Sequence, residues 1–331
     1  MHLKSAITAL SVALAANFSA NAQLKLVKEH RQHSFASTVP AGNYSGITRI
    51  SGNTYAVVND KCTTDGFNLM QIDVDTVSGD IINVTDLGFR SSGQPNRDEE
   101  AIAMRHADST LWIAGEAGNQ VLQYRLDGTL TGQSLHLPKE FTADCGNYGL
   151  ESLAYSDSTR TFWTTTESTL AADGEQATAT NGVANRLRLQ AFTDSLEPSG
   201  QWFYMMDAPR STQSARNYVM GVSELLALPD SSVLVLEREF YVPDSKIGAW
   251  SQIKLYQVWP AKAPEGSTLE KHLVHQFSTK LTLLNWGIAN YEGMCLGPRL
   301  ADGSQCIILV SDSQNQYGGI LRDWFKSLVV R

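Results

Sequence analysis

Cysteine is scarce. There are four in 331 residues, Cys62, Cys145, Cys295 and Cys306, and none forms a CxxC pair. That excludes a zinc ribbon and a thioredoxin-type redox centre. Positive charge is also short: 26 Lys and Arg face 34 Asp and Glu, for a net charge of −8. With no basic cluster, the chain is not built to bind nucleic acid. Beyond the N-terminal segment no apolar run approaches the length of a membrane span. The sequence has no GxSxG elbow, phosphate loop, dinucleotide glycine motif or EF-hand loop. His272 and His275 sit three apart on an expected strand, facing opposite ways, so they make no metal pair. Long stretches of 3.6-residue periodicity are absent as well, which excludes a helical architecture.

What is present begins with an export-type leader. Met1 to Lys4 is short and basic, Ala6 to Ala16 is apolar, and Ala20-Asn21-Ala22 has the small-x-small pattern of a cleavage site. Residues 1–22 are therefore expected to be a signal peptide and 23–331 a single domain, periplasmic or secreted and monomeric. In that compartment disulfides are permitted. Cys295 and Cys306 on adjacent strands, and Cys62 and Cys145 at one end of the fold, are the expected neighbours.

The rest of the chain is a repeat. Short runs of Val, Ile, Thr and aromatic residues alternate with Gly, Asp, Asn and Ser turns. One unit recurs five times, with first strands opening at Ser45, Glu100, Glu151, Glu224 and Glu292. Their partner strands end at Asp60, Glu116, Glu167, Glu237 and Asp312. The starts lie 51 to 73 residues apart, the span of a four-stranded propeller blade. The spacing predicts an all-β fold, a β-propeller of five four-stranded blades, or six if 151–220 holds two. The last unit runs out of chain after its third strand, expected over 320–326. The spare strand 23–30 can complete that blade and remove two sheet edges.

In such a blade the start of the innermost strand and the end of its antiparallel partner share one face. Glu100, Glu151, Glu224 and Glu292 should ring the channel mouth, with Asp60, Glu116, Glu167, Glu237 and Asp312 one strand further out. Two carboxylates about 4 Å apart repel by roughly 4 kcal/mol at an effective dielectric near 20. Such a cluster must take up protons, recruit cations or bind a metal. Oxygen donors without Cys or His suit Ca²⁺, with Glu100, Glu151, Glu224, Glu292, Asp60, Glu116 and Asp312 as candidate ligands. The same acids could instead accept backbone N–H groups and tie neighbouring blades together. Lys61, Arg97 and Arg238 adjoin the acids and could hold an anionic substrate, or simply pair with them. The insertions at 171–184 and 207–219 are of a length that suits either lids or connectors.

The segments VPAGNYSGITRISGNTYAVVND, DEEAIAM…LWIAGE, GLESLAY…FWTTTE, GVSELLAL…VLVLERE and YEGMCLG…IILVSDSQNQYGG resemble the family called esterase-like activity of phytase. The resemblance implies a β-propeller, export, kinship with calcium-dependent phytases, and hydrolysis of phosphoesters or esters. A small anionic or ester substrate would then meet calcium in the mouth, with Glu167 or Glu237 as general base. The alternative is a non-catalytic, calcium-stabilised propeller that binds a ligand or protein.

Overall fold

Two short N-terminal strands, β1 (Leu26–Glu29) and β2 (His33–Ser34), precede the first complete blade. That blade is β3 (Tyr44–Ser51), β4 (Thr54–Asn59), β5 (Phe67–Val74) and β6 (Ile81–Arg90), paired antiparallel in this order. The second comprises β7 (Glu99–Arg105), β8 (Thr110–Gly115), β9 (Gln120–Arg125) and β10 (Leu130–Ser134). The third is β11 (Leu150–Ser156), β12 (Thr161–Thr166), β13 (Arg186–Thr193) and β14 (Pro198–Met205). The fourth is β15 (Asn217–Ala227), β16 (Val233–Val242), β17 (Trp250–Val258) and β18 (Lys271–Lys280). Blade five consists of β19 (Asn290–Arg299), β20 (Gln305–Asp312) and β21 (Trp324–Val330), and β1 completes it as the outer strand. This computed structural model describes residues 22–141 and 149–331. The expected leader, save Ala22, and Cys145 lie outside the described residues.

The five innermost strands, β3, β7, β11, β15 and β19, contact one another in turn and enclose a channel. Second strands such as β8 (TLWIAG) and β20 (QCIILVSD) are buried along their whole length. Blades stack on both of their faces, which is why their apolar runs are continuous rather than alternating. The core accordingly lies between blades, as in the cluster that joins Ile47 and Val57 of blade one to Ile308 and Val310 of blade five.

The ring closes as the sequence predicts, with Leu26 opposite Val330 and reciprocal backbone bonds between Lys25 and Arg331 of 2.9 and 3.0 Å. Five blades are present, not six, because 171–184 is a loop within blade three. The last third strand begins at Trp324 rather than Ile320. A 3₁₀ turn at Tyr317–Gly319, followed by coil, carries the chain to that point. Cys62, Cys295 and Cys306 are free thiols, so the expected Cys295–Cys306 bridge is not formed. The register explains it: Cys295 faces Ile308, while Cys306 lies two positions along the strand and faces Val329 on its other side.

Candidate metal centre

Each innermost strand carries a bulge at the same place, and the bulges aim the site. In β7, Glu99 pairs with Gly115 and Ala101 with Ala114, which leaves Glu100 unpaired. The same break in pairing isolates Glu151 in β11 and Glu292 in β19. An unpaired bulge residue turns its side chain out of the ladder, here toward the channel. In β15 the break falls at Ser223, and in β3 at Ser45 and Gly46. The inner ring is therefore Ser45, Glu100, Glu151, Ser223 and Glu292. The two serines tie blades together: Ser45 Oγ donates to the Glu99 carbonyl at 2.8 Å and Ser223 Oγ to the Tyr291 carbonyl at 3.3 Å.

Counting along the second strands from these bulges yields the outer ring as Asp60, Glu116, Glu167, Arg238 and Asp312. Glu224 and Glu237 are one residue out of phase. A one-residue slip turns a side chain to the other face of its sheet, so neither lines the chamber, contrary to the sequence expectation. Glu224 instead accepts the backbone N–H of Leu153 across the blade boundary at 3.1 Å. Glu237 accepts from the Tyr204 hydroxyl and from Lys271 Nζ, both at 2.7 Å, away from the channel. The sequence does hold the signal. Gly149-Leu150-Glu151-Ser152-Leu153 aligns with Gly221-Val222-Ser223-Glu224-Leu225, which puts serine at the bulge.

The rings enclose a cavity of about 790 Å³ with two unlike halves. In one, Asp60, Asp98 and Glu100 each bring a carboxylate oxygen within 4.8 Å of the others. Asp98, which the repeat does not predict, sits in the left-handed region at φ 57°. Its N–H donates to Asn96 Oδ1 at 2.8 Å, an Asx turn that helps hold this backbone. Lys61 reaches in from the rim to Asp60 at 3.0 Å and also bonds Asp98. Its side chain is 58% exposed. Asp60 Oδ1 is buried with no hydrogen-bond partner among the described residues. Burial, and then Asp312 beside it, push the Asp60 carboxyl up to about 7. Three oxygen donors, one of them buried and unsatisfied, fit a hard divalent cation such as Ca²⁺.

In the other half Arg238, 3% exposed, occupies the position that the other blades give to an acid. Its guanidinium bonds Glu167 and Glu292, donates to Asn290 Oδ1 at 3.2 Å, and lies 3.8 Å from Glu151. Burial raises the pKa of all three glutamates, and Arg238 opposes that rise in each. Gly221 permits the arrangement, because a Cβ there would come within 2.3 Å of Glu167 Cγ and 2.5 Å of its carbonyl oxygen. Glu116 sits between the halves. Its Oε1 accepts the Gly149 N–H at 2.6 Å, and burial, with Glu167 and Asp98 nearby, raises its pKa. Asp312 Oδ1 accepts the Gln314 N–H at 2.7 Å.

The rim is one-sided. Arg216, Tyr218, Lys246 and Tyr317 face the cavity, with Lys246 Nζ 3.1 Å from the Tyr317 hydroxyl. Beside them Phe240, Leu281, Ile288 and Leu321 form an apolar wall. Arg97 is not brought in. It is engaged by the Gln120 carbonyl at 3.3 Å and the Tyr124 hydroxyl at 3.4 Å. Nor does the 171–184 loop cover the chamber. The buried Asn185 accepts the Ala177 N–H at 2.8 Å, and Asp173 pairs with Arg188, which folds the loop back onto its own blade. The 207–219 insertion does reach the rim, through Arg216.

A family model described as Phytase-like: Esterase-like activity of phytase matches residues 39–314. No curated protein matches the sequence. Among solved structures, an endo-arabinase from Bacteroides thetaiotaomicron VPI-5482 aligns at TM-score 0.48 and 10% identity, covering 89% of this chain and 95% of its own. A GH43_1 enzyme from Xanthomonas citri, complexed with xylose, aligns at TM-score 0.46 and 10% identity over 88% of each chain. A luciferin-regenerating enzyme gives TM-score 0.42 and 11% identity, with 90% of this chain and 94% of that one covered. Likeness at this level carries no functional weight.

Proposed function

The chain belongs to the phytase-like family described as esterase-like activity of phytase, and from that premise we propose that its acidic chamber is a calcium-dependent site for hydrolysing anionic esters, phosphoesters foremost. The observation that carries this reading is the oxygen-only trio Asp60, Asp98 and Glu100, with the unsatisfied Oδ1 of Asp60 inside it. These three residues would hold the ion. A calcium ion held by them would supply charge neutralisation and Lewis-acid polarisation for a substrate oxygen.

The chain's own residues supply the rest. Lys61, Lys246 and Arg216 offer cationic donors to an anionic head group at the rim. The wall of Phe240, Leu281 and Ile288 receives the apolar part of the substrate and excludes water from that side. Glu116 is the base in this reading. One of its oxygens accepts the Gly149 N–H, no bond to the other is seen among the described residues, and its raised pKa makes the carboxylate a better proton acceptor. Glu167 is committed to Arg238 and Glu237 lies outside the chamber, so neither takes that role. The leader-like residues 1–22 support a periplasmic or secreted location. No helix among the described residues is long and apolar enough to cross a membrane.

The test is turnover of p-nitrophenyl phosphate and p-nitrophenyl acetate with calcium and with chelator. Chelator-sensitive turnover is expected, lost in Glu116→Gln while calcium binding persists. A protein that calcium stabilises against heat but that turns over neither substrate would be the non-catalytic propeller instead.

A further inference from the structure

Resting on the reading that the chamber binds calcium, we propose that Arg238 is a built-in counter-ion standing where a second divalent cation would otherwise sit, so that the chamber holds a single ion, on its Asp60–Asp98–Glu100 side.

The two halves carry comparable negative charge and neutralise it differently. Glu151, Glu167 and Glu292 are served by one guanidinium that bonds two of them and lies 3.8 Å from the third. Arg238 arises from blade four, whose bulge residue is Ser223, so that blade supplies a cation and no inward carboxylate. Its side chain is 3% exposed, planar and wedged among its partners. Removing one partner from such a buried set leaves uncompensated charge, so it is not released for an incoming ion. Across the chamber the corresponding cation is Lys61, at 58% exposure on a flexible stem. A rim lysine leaves its carboxylates at little expense. One half is therefore permanently occupied by a protein cation. The other is closed by a cation that can swing out.

The experiment is calcium stoichiometry on the full chain at pH 8, by isothermal titration and by metal analysis after gel filtration. The wild type is expected to bind one ion per chain. Arg238→Gln is expected to bind two, with a melting temperature that calcium raises more than in the wild type. Arg238→Lys should stay at one, and Lys61→Met should stay at one with tighter binding, by about tenfold. Two ions in the wild type would overturn the proposal, as would a folded Arg238→Gln protein that still binds one. If Arg238→Gln does not fold even in millimolar calcium, the wild-type count and Lys61→Met decide. A second ion in the former or weaker binding in the latter overturns the assignment of the halves. No calcium bound by either the wild type or Lys61→Met would instead sink the metal reading of the chamber itself.

Discussion

The two ends of the channel are built from the same five strands and could hardly differ more. At one end the inner strands and their second-strand partners present acids and, among the described residues, a single buried arginine. At the other, the continuations of those strands close around Ile47, Ile102, Met104, Leu153 and Leu225, leaving a cavity of about 480 Å³. Apolar side chains meeting on an axis stabilise the ring through burial, by roughly 25 cal/mol per Å² removed from water. Carboxylates meeting on an axis oppose it. The comparison teaches that apolar lining of the channel is concentrated at one end, while the other collects charge that the fold alone would not favour.

The sharpest way to break the comparison is to remove one acid. Glu100→Gln should weaken calcium binding by more than about 100-fold, as expected when a hard-cation site loses ligand charge. Titration calorimetry measures it, and unchanged affinity would mean the trio is not the site. At the far end, Leu225→Ala should cost about 2–5 kcal/mol in urea unfolding through the cavity it leaves, with calcium affinity of the folded protein unchanged. A matching loss of affinity would show that the ends are not independent.

Acidity separates the ends next. Asp60 titrates at its ordinary 3.8 when unfolded and at about 7 when folded. Between those values the unfolded chain binds fewer protons than the native one, so metal-free stability falls as pH rises from about 4 to about 7. Buried Glu100, Glu151 and Glu292 shift in the same direction. Melts in chelator should show a lower Tm at pH 8 than at pH 5, and calcium should abolish the gap. A higher Tm at pH 8 in chelator would contradict this. The smallest effect belongs to the rim: Lys246→Ala should raise KM for p-nitrophenyl phosphate by about fivefold, the scale of a partly exposed ion pair, with kcat unmoved.

The architecture was legible because the blade unit repeats its own punctuation, an acid at each end of a paired strand. Residues 23–30, without a blade of their own, foretold the closure. What escaped was a single step of register in blade four. Val222-Ser223-Glu224-Leu225 fits the apolar alternation with either Ser223 or Glu224 facing the channel, and only the bulge decides between them. The same step put Glu237 in the outer ring in place of Arg238, which the sequence did set beside the acids and which pairs with them. Asp98 escaped for a different reason. It lies before its strand, and a left-handed backbone rather than strand alternation points it at Asp60. Cys295 and Cys306 were correctly placed on neighbouring strands, but strand order alone does not set their offset.

Pairing Leu26 with Val330 has a temporal side. The three ion donors lie at positions 60, 98 and 100, whereas Asp312, the last carboxylate of the chamber, stands on the sheet whose outer strand is β1. During synthesis the three ion donors would therefore emerge early, while the ring around them would close only once Leu26 meets Val330. Tightening of the ion's hold would then report that the circle has been clasped.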